Sequence, residues 1–539
     1  MTSVKKVKVA LLALVAALVI AIPTSAFANG TIEITSQTTG DEYYAYQVFK
    51  GDYDATAAVL SNVEWGNGVD GAAILADTNL PASLKGATSA KELAEKLSKL
   101  SDDADDLKAF ADVVAAHLTD TKSAKFEADS TGLVYKSGSL ADGYYLVEQG
   151  KAGKYGDQDG AKTRFIAKLV GGDAKATAKA SVPEVEKGVI EDSKVPTEEE
   201  AAAAFAKALK NYQKAADYDI AQGIPYYISG TLPSTYNDYK DYYYKFTDHM
   251  SDGLDYVAGS AKIYIYNGEA QGTQIQEADD VVINWTKPNL TVTIDDLKQY
   301  VPSYNANIKI VVLYQAKLNA NCVIGGAGNP NDVMLTYSNN PNSESGGTPE
   351  TGDTPKKYAV VFTYGLDDTK VDGADEVTPL ELAKFVLRCD SGEFEGKYAQ
   401  IEGGKLTGWG TTGTQMVSDA DGKFGVKGLD AGTYTLIEEH PPAGYNKRAD
   451  YTFTISATLP ADSTVVADTG NAVSNLKTEK TAGNAQTGLI EEKITNEKGT
   501  SLPSTGGIGT TIFTIVGIAL IVAAAAIMVV RRRNAAAIQ

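Results

Sequence analysis

Tyr434-Thr435-Leu436-Ile437-Glu438, followed shortly by Pro441-Pro442-Ala443-Gly444-Tyr445, reads as a β-strand running into a turn. With the period of two that a strand imposes, Tyr434, Leu436 and Glu438 share one face. Tyrosine and leucine make that face the core side, so the Glu438 carboxylate goes in with them. A lone buried carboxylate is costly; it must be protonated or find a partner.

The segment around this strand, Lys357–Asn496, is strand-rich throughout, with turns at Asp421-Gly422 and Ala431-Gly432. Its first strand carries Lys370-Val371-Asp372-Gly373, and it closes with Ile494-Thr495-Asn496. Asp419-Ala420-Asp421-Gly422 has the opening of a calcium loop but lacks the later glutamate and the ligand alternation, so it reads as a hairpin turn. Asn339–Pro355, rich in Asn, Pro, Ser, Gly and Thr, reads as the linker before this segment.

Further upstream, Val182–Tyr337 shows a helix expected over Thr197–Ala216, with Thr197 as cap and Glu198–Glu200 at its start. Strands follow near Tyr226–Ser229, Tyr242–Phe246, Ala261–Tyr266, Leu290–Ile294 and Ile308–Tyr314. The segment Thr31–Ala180 has strands at Thr31–Ile34, Tyr43–Phe49, Leu133–Tyr135, Tyr144–Glu148 and Arg164–Leu169. Between them, Leu93, Leu97, Leu100, Leu107, Phe110, Val114 and Leu118 predict a helical stretch over 90–118 that packs on this module. The chain has 30 tyrosines, and its Thr/Val/Ile runs alternate with Gly/Asn/Asp turns. The fold expected is all-β, three immunoglobulin-like sandwiches in an elongated row.

At 539 residues the chain is too long for one core. A net charge of -20 excludes the basic footprint of a nucleic-acid binder and suits an extracellular surface. Cys322 and Cys389 fall in different segments, so no disulfide is expected, although a long extracellular chain invites some covalent brace. No Cys/His cluster has metal spacing, and His117, His249 and His440 are read as incidental. No metal, no cofactor and no Ser–His or paired-carboxylate hydrolase site is expected.

The two ends carry address labels. Lys5, Lys6 and Lys8, an apolar run Val9–Ile22 and Ala26-Phe27-Ala28 form a secretory signal peptide, with the mature chain expected to start at Asn29. At the other end, Leu502-Pro503-Ser504-Thr505-Gly506 precedes an apolar run from Ile508 to Val530 and then Arg531-Arg532-Arg533. That run is long enough to span a bilayer, with the arginines on the cytoplasmic side.

The terminal arrangement resembles the LPxTG cell-wall sorting signal of Gram-positive surface proteins. The resemblance implies cutting between Thr505 and Gly506 by a sortase, with transfer of the Thr505 carbonyl to an amine. The strand and turn around Glu438 resemble the E-box of sortase-assembled pilins. In those modules a first-strand lysine bonds to a last-strand asparagine, which implies Lys370 and Asn496 with Glu438 as the catalytic acid. The middle segment is similar to the isopeptide domain of major fimbrial subunits. There the likeness implies Lys187 in Val182–Val189 as amine, Asp248 as acid and Asn331 as amide, with Asn329, of equal strand parity, as the other candidate. The first segment has an E-box-like Tyr144-Tyr145-Leu146-Val147-Glu148 but no terminal asparagine, so no bond is expected there.

The whole chain thus resembles a major (backbone) pilin. The parts implied are residues 1–28 as signal peptide, 29–181 as an N-terminal module with a helical insertion, 182–350 as a middle isopeptide-forming domain, 351–498 as a Cna-B/SpaA-type domain, and 499–539 as sorting signal, transmembrane helix and basic tail. The implied partners are pilus and housekeeping sortases, copies of the chain itself, minor pilins and peptidoglycan. The place implied is the cell wall surface, after transient membrane anchoring. The lysine that receives Thr505 is expected among Lys175, Lys179 and Lys187, with Lys179 favoured because it lies near the module junction and Lys187 is committed elsewhere. The alternative is a wall-anchored adhesin or minor pilin that binds a host surface ligand without polymerising.

Overall fold

The computed structural model describes residues 29–54, 57, 59–101, 104–178, 181–195, 209–268, 272–343, 346, 348–460, 473–500 and 508–536. The signal peptide, Lys179 and the pentapeptide 502–506 lie outside the described residues. The architecture is all-β, with tandem immunoglobulin-like, Cna-type sandwiches and a terminal apolar helix.

In the N-terminal part, Glu42–Asp54 is the central strand of one sheet, between Gly143–Lys151 and Val59–Trp65, with Arg164–Leu169 on the far side of Gly143–Lys151. A second sheet runs Ala174–Thr177, Ile32–Thr35, Val134–Lys136, Glu127–Ala128. Ile32, Ile34, Tyr43, Ala45, Tyr145 and Val147 fill the space between the two. The opposite face of the first sheet presents Val48, Phe49 and Leu146, and helices cover it through Leu93, Phe110 and Val114.

The stretch expected as one helix over 90–118 is two, Ala90–Leu97 and Asp105–Ala116. Two boundary signals account for the break. Ser98 ends the first helix, its hydroxyl donating to the Glu95 carbonyl at 2.9 Å, and Asp105 and Asp106 put negative charge at the positive end of the second.

The middle part is a sandwich of two sheets. One orders Val185–Val189, Ile224–Thr231, Lys309–Leu318, Lys262–Tyr266 and Thr273–Ile275. The other orders Ala215–Asp217, Lys357–Phe362, Asn329–Ser338, Tyr244–Met250, Asn289–Ile294 and Val281–Thr286. Much of the tyrosine content is here: Tyr226, Tyr236, Tyr242, Tyr244, Tyr314 and Tyr337 are all buried in this core. The helix expected over Thr197–Ala216 is corrected at its end. Ala215–Asp217 is a strand pairing parallel with Val360–Phe362, while 196–208 lie outside the described residues. Ala215 and Ala216 are both buried in the sheet, so neighbouring strands override their helix preference.

Lys357–Phe362 was expected to open the C-terminal module, but it pairs inside the middle sheet, Asn329 opposite Val361 and Asn331 opposite Ala359. Ala359 and Val361 pack into the middle core, while Val360 and Phe362 pack into the C-terminal core. A strand buried on both faces carries an unbroken apolar run, which explains the lack of alternation in Ala359-Val360-Val361-Phe362.

The C-terminal sheet begins at Tyr364–Asp372, antiparallel to Lys423–Leu429 and parallel to the last strand, Lys493–Asn496. Gly432–His440 lies between Lys384–Cys389 and Tyr451–Thr458. Gly428 has a φ of 95°, and a Cβ there would meet Ile220 Cδ1 at 2.3 Å, so only glycine lets the two domains close at this point.

Cys322 and Cys389 are buried and free. Ile508–Ala536 forms a helix whose Thr511–Arg533 stretch has mean hydropathy 2.9 and no burial, enough by length and composition to cross a membrane.

Candidate functional site: two buried lysine, acid and asparagine clusters

In the C-terminal domain the ladder sets Lys370 opposite Ile494 and Asp372 opposite Asn496. Lys370 and Glu438 are fully buried and Asn496 is 2% exposed. Strand parity points Glu438 inward beside Tyr434 and Leu436, and the register shifts only beyond it, between Phe385 and Lys384. Asn496 Nδ2 donates to both Glu438 oxygens, at 2.9 and 3.0 Å, and the Arg448 N–H donates to Glu438 Oε2 at 2.8 Å. Asn496 Oδ1 has no partner. Lys370 Nζ donates to the Ile494 carbonyl at 2.8 Å. Burial pushes its pKa down to about 8, against the pull of Glu438.

The middle domain builds a second cluster across its two sheets. Lys187, Asp248 and Asn331 are each fully buried. Lys187 sits on Val185–Val189, Asp248 on Tyr244–Met250 and Asn331 on Asn329–Ser338. Lys187 Nζ contacts Asp248 Oδ2 and donates to the Tyr314 hydroxyl at 2.7 Å. That hydroxyl donates to Asp248 Oδ2 at 3.0 Å and accepts from Asn331 Nδ2 at 2.8 Å. Burial lowers the pKa of Lys187 and raises that of Asp248; each partner opposes the other's shift without being the larger cause. Both shifts favour a neutral amine beside a neutral acid.

Asn329 is placed elsewhere. Its amide donates to the Val323 and Val361 carbonyls at 3.0 and 3.2 Å and accepts from the Val323 N–H at 2.9 Å, fixing a loop. Tyr314 was not singled out in the sequence. Its inward parity with Ile310 and Val312, and the need of a buried tyrosine for a hydroxyl partner, were the available signals.

In the N-terminal domain Glu148 pairs with Arg164 at 3.0 Å, and Arg164 also reaches Asp112 at 3.2 Å, tying the sheet to the second long helix. Lys175 stands on Ala174–Thr177, with its amine 3.0 Å from Glu33 and 60% of its side chain exposed. Asp419 spends its carboxylate on the Asp421 and Lys423 N–H groups, as a turn residue does. At the junction of the middle and C-terminal domains, carboxylate oxygens of Glu191, Asp217 and Asp430 lie within 4.8 Å of one another. Burial and mutual repulsion push Glu191 up to about 9, and Asp217 and Asp430 are also raised.

Residues 220–341 match the Cna-B-like domain of Gram-positive pilin backbone subunit 2, and 366–470 match the SpaA prealbumin-like fold domain. Residues 494–536 match the LPXTG cell wall anchor motif. Over those segments the chain is similar to Gram-positive backbone pilins with a cell-wall anchor. It is also similar to the trypsin-resistant surface T6 protein of Streptococcus pyogenes serotype M6. The two are 26% identical over 370 residues, which cover 58% of this chain and 65% of that protein. The solved T6 backbone pilin, described as a modular three-domain structure, superposes with a TM-score of 0.54 at 16% identity, covering 88% of this chain and 100% of that one. The major pilin SpaD of Corynebacterium diphtheriae gives 0.49 at 16% identity, over 87% and 98%.

Proposed function

We propose that the chain is the repeating subunit of a covalent pilus shaft, braced internally by two lysine–asparagine isopeptide bonds, Lys187–Asn331 and Lys370–Asn496. The observation that carries this reading is the full burial of two lysines, each in a cavity with an acid and an asparagine. Burial shifts the amine toward its nucleophilic, neutral form, and enclosure fixes it near the amide while excluding water. Asp248 and Glu438 serve as acids that pass protons to the departing ammonia. In the C-terminal site the leaving nitrogen, Nδ2, already rests on the carboxylate.

Each bond would join an early strand to a late one. Closing a loop on the order of 100 residues removes about 4–5 kcal/mol of unfolded-state entropy in the chain model. Tension applied at a domain's ends would then run through the crosslink rather than the hydrogen-bonded ladders.

Polymerisation would use Thr505 as acyl donor and Lys179 as acceptor, with Lys175, exposed on its strand, as the other candidate. Lys187 is held with Asp248 inside its cavity. The test is the intact mass of residues 29–501, together with surface extracts resolved by size. Two missing ammonias and a ladder of multimers support the reading. The full calculated mass removes the crosslinks from it, and a protein seen only as monomer favours a wall-anchored adhesin. A full ladder from Lys179→Arg moves the linkage to another lysine.

A further inference from the structure

We propose that Tyr314 is a catalytic residue of bond formation in the middle domain, its hydroxyl carrying the proton between Asp248 and the departing amide nitrogen of Asn331. The inference rests on the reading that Lys187 and Asn331 become joined.

The argument comes from comparing the two clusters. In the C-terminal domain the acid is a glutamate, and both of its oxygens accept directly from the Asn496 amide. In the middle domain the acid is an aspartate, one methylene shorter, and the Asn331 amide donates to Tyr314 instead. The Tyr314 hydroxyl bridges what the shorter side chain leaves open. It touches the Lys187 amine, Asp248 Oδ2 and Asn331 Nδ2, the three polar groups of the reaction. No equivalent bridge is needed where the acid reaches the amide itself.

The surroundings hold Tyr314 in that role. Its ring stacks on Tyr226, centroids 5.4 Å apart and planes 7° from parallel, and the Lys187 amine lies 5.1 and 5.2 Å from the Tyr226 and Tyr314 ring centres. Burial and the nearby Asp248 carboxylate push the Tyr314 hydroxyl well above its ordinary pKa, so it remains a proton carrier and does not become an anion. A phenol can donate one hydrogen bond and accept others, which is what a relay requires.

The step balances without a co-reactant. Lys187 Nζ attacks Asn331 Cγ and forms the new C–N bond. Tyr314 gives its hydroxyl proton to Nδ2 and takes the proton held by neutral Asp248. The Cγ–Nδ2 bond breaks and ammonia leaves. The proton that Nζ sheds goes to the Asp248 carboxylate so formed, and Tyr314 and Asp248 return to their starting states.

The experiment is a peptide map of the full chain, reading the joined peptide that spans Lys187 and Asn331 over time after synthesis. Tyr314→Phe is expected to slow its appearance at least tenfold while the Lys370–Asn496 peptide forms normally. Tyr242→Phe, which removes a buried hydroxyl elsewhere in the same core, is expected to form the bond at the wild-type rate. The decisive variant is Tyr314→Phe combined with Asp248→Glu. The longer acid should reach the amide as Glu438 does and restore the joined peptide, which a merely structural role for Tyr314 does not predict. Normal joining in Tyr314→Phe overturns the proposal, as does a folded double variant without rescue. Absence of the joined peptide from the wild-type chain would instead refute the underlying crosslink.

Discussion

The Glu438→Ala chain is expected to lack one of the two ammonia deficits that wild type shows against its own calculated mass, and its C-terminal domain to melt roughly 10–20 °C lower, the effect of losing a crosslink worth about 4–5 kcal/mol in a domain of this size. Alanine also strips partners from the Asn496 amide and the Arg448 N–H, which now meet only Glu438. Unsatisfied buried groups cost about 1–3 kcal/mol each, so the loss is large against the 5–15 kcal/mol that holds a typical domain. Glu438→Gln separates the two effects, since it keeps a polar side chain of the same shape but cannot shuttle the proton. It should lack the same ammonia deficit, with a smaller fall in melting temperature.

The pH dependence should change as well. Without the bond, Lys370 keeps a titratable amine whose folded pKa, about 8, lies below its ordinary 10.5. The unfolded chain then binds more protons between these values, so stability rises with pH. The penalty is fully present below about 8 and is relieved as pH climbs toward 10.5. In the crosslinked domain Lys370 is an amide and contributes no such slope. If Glu438→Ala kept the full wild-type ammonia deficit against its own calculated mass, Glu438 would be removed from the chemistry.

The second large effect is expected at Asp248. Asp248→Ala prevents the middle bond and also strands Lys187, which is fully buried against Asp248 and Tyr314. Removing one member of a buried pair costs about 3–5 kcal/mol, because the other is left uncompensated. Lys187→Met also prevents the bond but fills the cavity with an uncharged side chain. The expected order of melting temperature is wild type, then Lys187→Met, then Asp248→Ala, with the double variant above Asp248→Ala alone. Calorimetry of the four chains checks this. If Lys187→Met were the least stable, the cost of the stranded amine would be the wrong explanation.

Which parts could be read from the sequence follows from how local each signal is. The inward face of Tyr434, Leu436 and Glu438 needs only strand parity, and all three are buried. The strands at Arg164–Leu169 and around Tyr226 and Leu290 likewise announce themselves by composition. Parity could not separate Asn329 from Asn331, because the difference is what lies across the sandwich: a loop at Val323 for one, Tyr314 for the other. Tyr314 hides in an apolar strand, Ile310-Val311-Val312-Leu313-Tyr314, where an aromatic is the ordinary filler. The position of Lys357–Phe362 was also illegible, since a run buried on both sides does not say whose sheet it completes.

That strand also governs how a chain of this kind can change over generations. Ala359 and Val361 answer to one core, Val360 and Phe362 to the other, within six residues. A genetic crossover inside Lys357–Phe362 would join side chains selected against different neighbours, and one just before it would give the middle sheet a foreign strand. The two domains are therefore inherited as a single block. Sequence change can enter most freely through their surface loops.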